Sequence, residues 1–551
     1  MRSDPANTTA SLYADKYVQA HLPAAELWPE LIFSLPELQY PARFNVVDQL
    51  LDHALAQRPE LAQRPALYGL VNGNKVSLNY AELAELVSRI AQVLVHDLGL
   101  PSGARVLLRG SNSIMLAASI LAVMKAGMIA VPTMPLLRAR ELAVIIEKAQ
   151  IAAALCAEDL SAELQAAQTE QPVLKSICYF HSQAAAGLEQ LLQKYSAQFS
   201  AFDTSASDVA LIGFTSGTTG KPKATLHFHR DVLAICDCFP RSILATQPDD
   251  IFVGTPPLAF TFGLGGLLLF PLRYGAAAVL LEKLSPATLL AAIAEYRASI
   301  CFTAPTFYRQ MTGLVEHHQI ASLKKSVSAG EALPASTRHA WHQATGLQMI
   351  DGIGATEMLH IFISATPEQA RAGATGKPIP GYQACILDPE GRVLGPGQIG
   401  RLAVKGPTGC RYLDDPRQRD YVWQGWNLTG DAYELDQDGY FHYRARIDDM
   451  IISAGYNIAG PEVEEAVLRH PAAAECAVIG VDDEQRGQLV KAFVVLKAGY
   501  QASDELAKAL QDFVKQTIAP YKYPRCIEFR TQLPRTETGK LQRFKLKQAT
   551  S

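Results

Sequence analysis

Residues 104–133, "ARVLLRGSNSIMLAASILAVMKAGMIAVPT", read as strand, helix and strand in succession. "ARVLLRG" is a short apolar run, "SIMLAASILAVMKAG" carries a longer helical pattern, and "MIAVPT" is again strand-like. Two parallel strands need a crossover of this length between them, and a helix is the usual solution. The pattern recurs at 276–305, where "AAAVLLE" precedes "SPATLLAAIAEYRA" and "SICFTAP" follows. Alternation of this kind predicts βαβ units and sheets covered by helices. Residues 161–195, rich in Ala, Gln and Glu, read as peripheral helix and loop. The uncharged run 251–272 is interrupted by prolines and glycines, which favours a buried strand–turn–helix segment over a membrane span.

At 551 residues the chain exceeds what one core organises, so two or more domains are expected. The texture changes near residue 440. "DQDGYFHYRARIDDMIISAGYNIAGPEVEEAVLRH" (436–470) reads as a hairpin with an Asp-Gly turn, a charged joint, a second hairpin and a helix. Pro461 suits that helix's first turn, and Glu462, Glu464 and Glu465 suit its positive end. "ECAVIGV", "VKAFVVLK", "SDELAKALQDFVKQTI" and "RCIEFR" complete a small α+β unit. The expected fold is a large α/β domain over residues 1–446 and a small, mobile α+β domain over 447–551, joined at Arg446–Asp449.

A formal net charge of −4 leaves no basic excess for nucleic acid or a membrane surface. Nine cysteines without a C-x-x-C pair fit a reducing compartment and argue against disulfides or a zinc site. The polar N-terminus lacks the apolar core of a signal peptide, so a cytoplasmic location is expected.

Function points to "LIGFTSGTTGKPKATLHF" (211–228). Leu211, Ile212 and Phe214 end a buried strand. Ser216, Gly217, Thr218, Thr219 and Gly220 can then turn tightly, aiming backbone N–H groups and hydroxyls at an anion. Lys221 and Lys223 add charge. The spacing is not a Walker loop, and an ordinary polar loop would look similar. Four further stretches stand in order behind it: "SAGEALP" (328–334), "DGIGATEMLHIF" (351–362), "NLTGD" (427–431) and "PRTETGKLQR" (534–543). Ser216 lacks the G-x-S-x-G pattern of a hydrolase elbow.

Taken together, these motifs closely resemble the adenylate-forming superfamily of acyl-CoA synthetases, luciferases and peptide-synthetase adenylation domains, from "LNYAEL" (78–83) to Lys540. "PLAFTFGLGG" (257–266), "DGIGATEMLHIF" and "PRTETGKLQRFKL" resemble the aryl-CoA ligase branch. "LPELQYPARFNVVDQLLD" (35–52) resembles its 2-aminobenzoate members. The resemblance implies an enzyme that joins a carboxylate to the α-phosphate of ATP and then passes the acyl group to coenzyme A. It implies 2-aminobenzoate as the acid, with benzoate or salicylate as alternatives. A stand-alone adenylation enzyme that loads a carrier protein would share the first half-reaction.

By that resemblance Thr215, Ser216, Gly217, Thr218, Thr219, Gly220 and Lys223 grip pyrophosphate. Thr356 contacts the α-phosphate, Glu357 holds Mg²⁺, and Lys540 bridges carboxylate and phosphate oxygens in the transition state. Asp431 and Arg446 lie at the ribose, Gly330 and Glu331 lie where the adenine and acyl groups meet, and Asp351 and Gly352 belong to the ATP/AMP site. The implied acyl pocket takes Phe228, Phe260, Phe262, Gly263, Thr303, Tyr308, Ala329, Ile353 and His360. His360 would face it if its stretch is helical; a packed histidine is the plain alternative. Asp448 matches the hinge and Gly455 the pantetheine tunnel. The implied substrates are ATP, an aromatic acid and coenzyme A, with Mg²⁺ as cofactor. A downstream acyltransferase or carrier protein and a homodimer are left open. The chain departs from the family pattern at Ala224, Ala445 and Ile452, where glycine, glycine and lysine are usual, and at Phe260, where many members carry histidine.

Overall fold

The computed structural model describes residues 10–71, 74–215, 222–453, 456–483, 486–535 and 541–548. The opening stretch forms strand β1 (Arg105–Arg109), helix α1 (Ile114–Lys125) and strand β2 (Ile129–Thr133), with β1 and β2 parallel neighbours. They belong to a six-stranded sheet ordered Ser176–Phe180, Ala153–Ala157, β1, β2, β3 (Val209–Thr215), β4 (Lys223–Phe228). All pairs are parallel except the β3–β4 hairpin at the edge. β1 and β2 are buried at every position, which is why they are continuous apolar runs rather than alternating ones.

Helix α1 is buried around almost its whole circumference. It contacts β1 and β2 on one side and the strand Pro65–Val71 of a second sheet on the other. Lys125, at its end, is enclosed as well, and its Nζ donates to Asp52 Oδ1 and Ser88 Oγ, each at 2.9 Å. A buried ammonium is tolerated only with such partners.

The second sheet has nine strands. Its central parallel part includes Ile251–Gly254, β5 (Ile300–Thr303), β6 (Lys325–Ala329) and β7 (Met349–Gly354). β5, β6 and β7 lie side by side, with Thr303 paired to Ser328 and Ala329 to Gly352. A third, five-stranded sheet contains Trp426–Leu435 and Phe441–Arg446, joined by the expected Asp-Gly turn with Gly439 at φ +82°. The run 251–272 is a strand followed by a turn and helical segments from Thr261, as expected for a buried element.

Residues 451–529 form a separate five-stranded sheet with helices Gly460–Leu468 and Asp504–Thr517, around a core of their own. The chain is thus a large N-terminal α/β domain with a small C-terminal one. Between them Ile447–Asp449 makes a single 3₁₀ turn. Lys547 from the last helix donates to the Asp448 carbonyl and to Asp449 Oδ1, each at 3.0 Å. One expectation is corrected. Residues 161–195 are not helix and loop alone, because "SICYF" (176–180) is the edge strand of the first sheet, with alternating rather than continuous burial. Among the described residues no helix is long and apolar enough to cross a membrane.

Candidate active site

Thr215, Thr303, Ala329 and Gly352 stand at or near the carboxyl ends of parallel strands, where open α/β sheets place their ligands. Ser216, Gly217, Thr218, Thr219, Gly220, Lys221, Gly455 and Lys540 lie outside the described residues. The two ends of the loop are described: Thr215 closes β3, Lys223 opens β4, and the two are paired across the hairpin. Residues 411–413 run antiparallel beside β4, with Leu226 N–H donating to the Arg411 carbonyl (2.8 Å) and Leu413 N–H to the Ala224 carbonyl (2.9 Å). This added segment brings Tyr412 beside Lys223, whose Nζ lies 3.4 Å from the Tyr412 hydroxyl and 5.1 Å from its ring centre.

Glu357 completes this corner. It sits on the 3₁₀ turn Thr356–Met358 at 9% exposure, and the Tyr412 hydroxyl donates to its Oε1 at 2.6 Å. It is therefore no solvated loop acid. The turn can approach β3 because Gly213 has no side chain: a Cβ there would stand 2.8 Å from Thr356 Cγ2. Among the described residues no group of three metal-ligating side chains exists. One anionic oxygen-donor residue beside the loop ends Thr215 and Lys223 suits Mg²⁺, which takes one or two carboxylates plus phosphate oxygens rather than a protein cage. Glu357 would hold it, and the ion would neutralise phosphate charge.

A second corner is built on the third sheet. Asp431 is 8% exposed and stands opposite Arg446, whose Nη1 donates to Asp431 Oδ1 and to the Thr429 carbonyl, each at 3.0 Å. Gly430, at φ +77°, leaves room for that guanidinium. The Glu357 and Asp431 corners are linked through Tyr421, which meets Tyr412 edge-on at 5.8 Å and whose helix Gln418–Tyr421 packs on the strand Trp426–Leu435 that carries Asp431. Gly330 turns out of β6 at φ +90°, and Glu331 Oε2 accepts from Thr306 Oγ1 at 2.7 Å.

Asp351 keeps some exposure as a residue, but its Oδ1 is enclosed without a hydrogen bond. Burial pushes its carboxyl up to about 7, against opposing pulls from Arg338, the Gly352 N–H and Ser328. A carboxyl whose folded pKa is raised costs stability as pH climbs from its ordinary value to the raised one. Asp351→Asn is therefore expected to melt higher than the wild type above about pH 7, with the gap closing toward about pH 4. Equal melting temperatures at pH 8 would show that the carboxylate is not strained there.

The third corner is aromatic. Leu359 takes φ +68°, so the chain after Glu357 is not helical; it turns sharply into the strand Ile361–Ser364. His360 nonetheless points inward, at 2% exposure, beneath the segment Thr261–Leu269. A Cβ on Gly265 would lie 2.5 Å from its Cδ2, and one on Gly266 would lie 2.6 Å from Phe302 Cδ1. Four rings surround the imidazole: Phe270 at 4.5 Å between centroids, Phe239 at 5.6 Å, Phe262 at 5.8 Å and Phe302 at 6.4 Å. Desolvation pushes His360 down to about 3, with only the Phe262 main chain pulling the other way, so the ring is neutral. Neither ring nitrogen makes a hydrogen bond of normal geometry. Half-exposed Phe260 precedes this segment, and Gly263 packs flat on the Pro256 and Pro257 carbonyls. Thr303, Ala329 and Ile353 line the adjoining strand ends, with Thr303 Oγ1 2.5 Å from Thr255 Oγ1.

Two expected pocket residues do not join it. Tyr308 lies across the sheet from Phe302: its hydroxyl donates to the Cys301 and Val327 carbonyls, and its ring packs edge-on to Trp341 at 4.8 Å. Phe228 faces the other side of β4 from His227. It packs on Trp28 at 5.7 Å, beneath the Arg411 guanidinium. Both are core residues. His227 and His229 are buried and neutral, pushed down to about 4 and about 3 by desolvation, and His229 is tied to Tyr13 and Val46. Tyr412, Phe302, Phe270 and Phe239 went unseen in the sequence. Phe302 alone left a trace, as the residue alternating with Thr303 on a buried strand.

Residues 52–411 match the AMP-binding enzyme family and residues 462–540 its C-terminal domain. A benzoate–CoA ligase of Thauera aromatica is 34% identical over 520 residues, covering 93% of this chain and 98% of its own. The crystal structure of the anthranilate–CoA ligase AuaEII with anthranoyl-AMP superposes with a TM-score of 0.87 at 32% identity, over 94% of this chain and 99% of that one. A benzoate–CoA ligase from Burkholderia xenovorans LB400 gives 0.82 at 30%, over 92% and 100%. With both of its domains matched, the chain belongs to the AMP-binding enzyme family, among its AMP-forming acyl- and aryl-CoA ligases.

Proposed function

We propose that the protein ligates an aromatic carboxylic acid to coenzyme A through an acyl-adenylate, with 2-aminobenzoate as the acid. The observation that carries this reading is the closed ring of Phe239, Phe262, Phe270 and Phe302 about a neutral His360 under a glycine-rich segment. Such walls favour a flat, apolar ring. His360 lies behind these rings with both nitrogens enclosed, and its part in the choice of an ortho amino or hydroxyl substituent is what the variant below tests. The likeness to an anthranilate–CoA ligase in complex with anthranoyl-AMP supports the same choice.

In the first half-reaction a carboxylate oxygen attacks the α-phosphorus and pyrophosphate leaves. The loop 215–223 holds the departing phosphates, Thr356 the α-phosphate, Asp431 and Arg446 the ribose, and Lys540 the oxygens that gain charge. In the second, the coenzyme A sulfur attacks the acyl carbon, AMP leaves and the thiol proton passes to solvent. The small domain, residues 447–551, turns about Asp448 between the two steps. Lys540 is thereby withdrawn, and Gly455 is brought to the thiol path. No protein nucleophile is required.

The test is kcat/KM for thioester formation across 2-aminobenzoate, salicylate, benzoate, acetate and octanoate. We expect 2-aminobenzoate first, salicylate and benzoate slower, and the alkanoates at least about 10²-fold down. In His360→Phe the preference for 2-aminobenzoate over benzoate should shrink by about tenfold. Preference for an alkanoate would remove the aryl reading; an unchanged ratio in His360→Phe would remove only the imidazole's part.

A further inference from the structure

Tyr412 belongs to no sequence motif singled out above, yet it is wholly buried between Lys223 and Glu357. Its backbone is fixed against β4, its N–H donates to Gln418 Oε1 at 2.8 Å, and its ring meets Tyr421 edge-on at 5.8 Å. The hydroxyl has one place to donate and one to accept. It donates to Glu357 Oε1 at 2.6 Å, short as expected for a bond to a carboxylate, and Lys223 Nζ approaches it from the loop side at 3.4 Å. Glu357 Oε2 has no hydrogen-bond partner among the described residues.

From this geometry we infer that Tyr412 is the positioning residue for Glu357: its hydroxyl occupies Oε1, fixes the carboxylate plane, and so presents Oε2 to the divalent cation that accompanies the nucleotide. The inference rests on the reading of Glu357 as the residue that holds that cation. A free carboxylate on a 3₁₀ turn would rotate about its terminal bond, and Mg²⁺ demands near-ideal octahedral geometry. Tyr412 removes that freedom without touching nucleotide or metal. The same hydroxyl gives Lys223 a neutral neighbour, so that its charge remains available to phosphate instead of being spent on Glu357.

The test compares how strongly Mg²⁺ enhances binding of a non-hydrolysable ATP analogue to the full-length protein, as the ratio of Kd without and with the metal by calorimetry. In Tyr412→Phe, which deletes only the hydroxyl, the enhancement is expected to fall by about tenfold. Metal-free affinity and the KM for the acid should change less than about twofold. In Glu357→Gln the enhancement should vanish. If Tyr412→Phe keeps the full enhancement while Glu357→Gln loses it, the positioning role is overturned and the reading of Glu357 stands. If Glu357→Gln also keeps it, that reading falls and the inference with it. Equal loss of affinity with and without metal in Tyr412→Phe would make the residue a structural prop and overturn the inference as well.

Discussion

Lys540→Ala is expected to slow acyl-adenylate formation by about 10² or more, the scale for losing one preorganised charge at a developing anion. Thioester formation from supplied acyl-adenylate should be nearly unchanged, because in the proposed mechanism the lysine is withdrawn by then. The residue closes the match to the C-terminal domain family, on the domain whose separate sheet and core are joined to the rest by the short turn Ile447–Asp449. Asp448→Pro should show the opposite pattern, since proline fixes φ at the turn that must move. Single-turnover assays of each half-reaction separate the two. Equal loss in both steps for Lys540→Ala would rule out the division of labour.

Gly213→Ala is expected to reduce adenylation by about 10², although Gly213 touches no substrate. A methyl there would stand 2.8 Å from Thr356 Cγ2, too close for any pair of carbons, so the Thr356–Met358 turn must move outward. A displacement on the order of 1 Å in Thr356 and Glu357, the residues proposed to hold the α-phosphate and the metal, would cost this much in rate. The double variant Gly213→Ala, Thr356→Ser keeps the hydroxyl and deletes the obstructing methyl, so it should recover most of the activity of Thr356→Ser alone. Wild-type exchange rates in Gly213→Ala would show that the turn tolerates the shift. Failure of the serine to rescue would point to damage in β3 itself.

Much of the fold was legible because it is written in local pattern. β1, α1 and β2 are runs whose length and continuity separate a buried parallel strand from a helix. The Asp438–Gly439 turn and the Pro461 helix start are chemical signals at single residues. Phe228 and Tyr308 misled because apolar composition does not say which face of a sheet a side chain takes. Phe228 alternates with His227 on β4, and Tyr308 lies behind β5 while Phe302 lies in front of it. The route of the chain to buried His360 was not legible, since Leu359 at φ +68° has no sequence signal. Tyr412 was invisible because its partners, Lys223 and Glu357, are distant in sequence and meet it only through the segment added beside β4.

The most direct test of the central claim is exchange of labelled pyrophosphate into ATP with 2-aminobenzoate present and coenzyme A absent. A mixed anhydride formed before the thiol is needed predicts rapid exchange that depends on the acid and on Mg²⁺. Addition of coenzyme A should then give AMP and aryl-CoA in equal amounts. Exchange that requires coenzyme A, or ADP and phosphate in place of AMP and pyrophosphate, would contradict it.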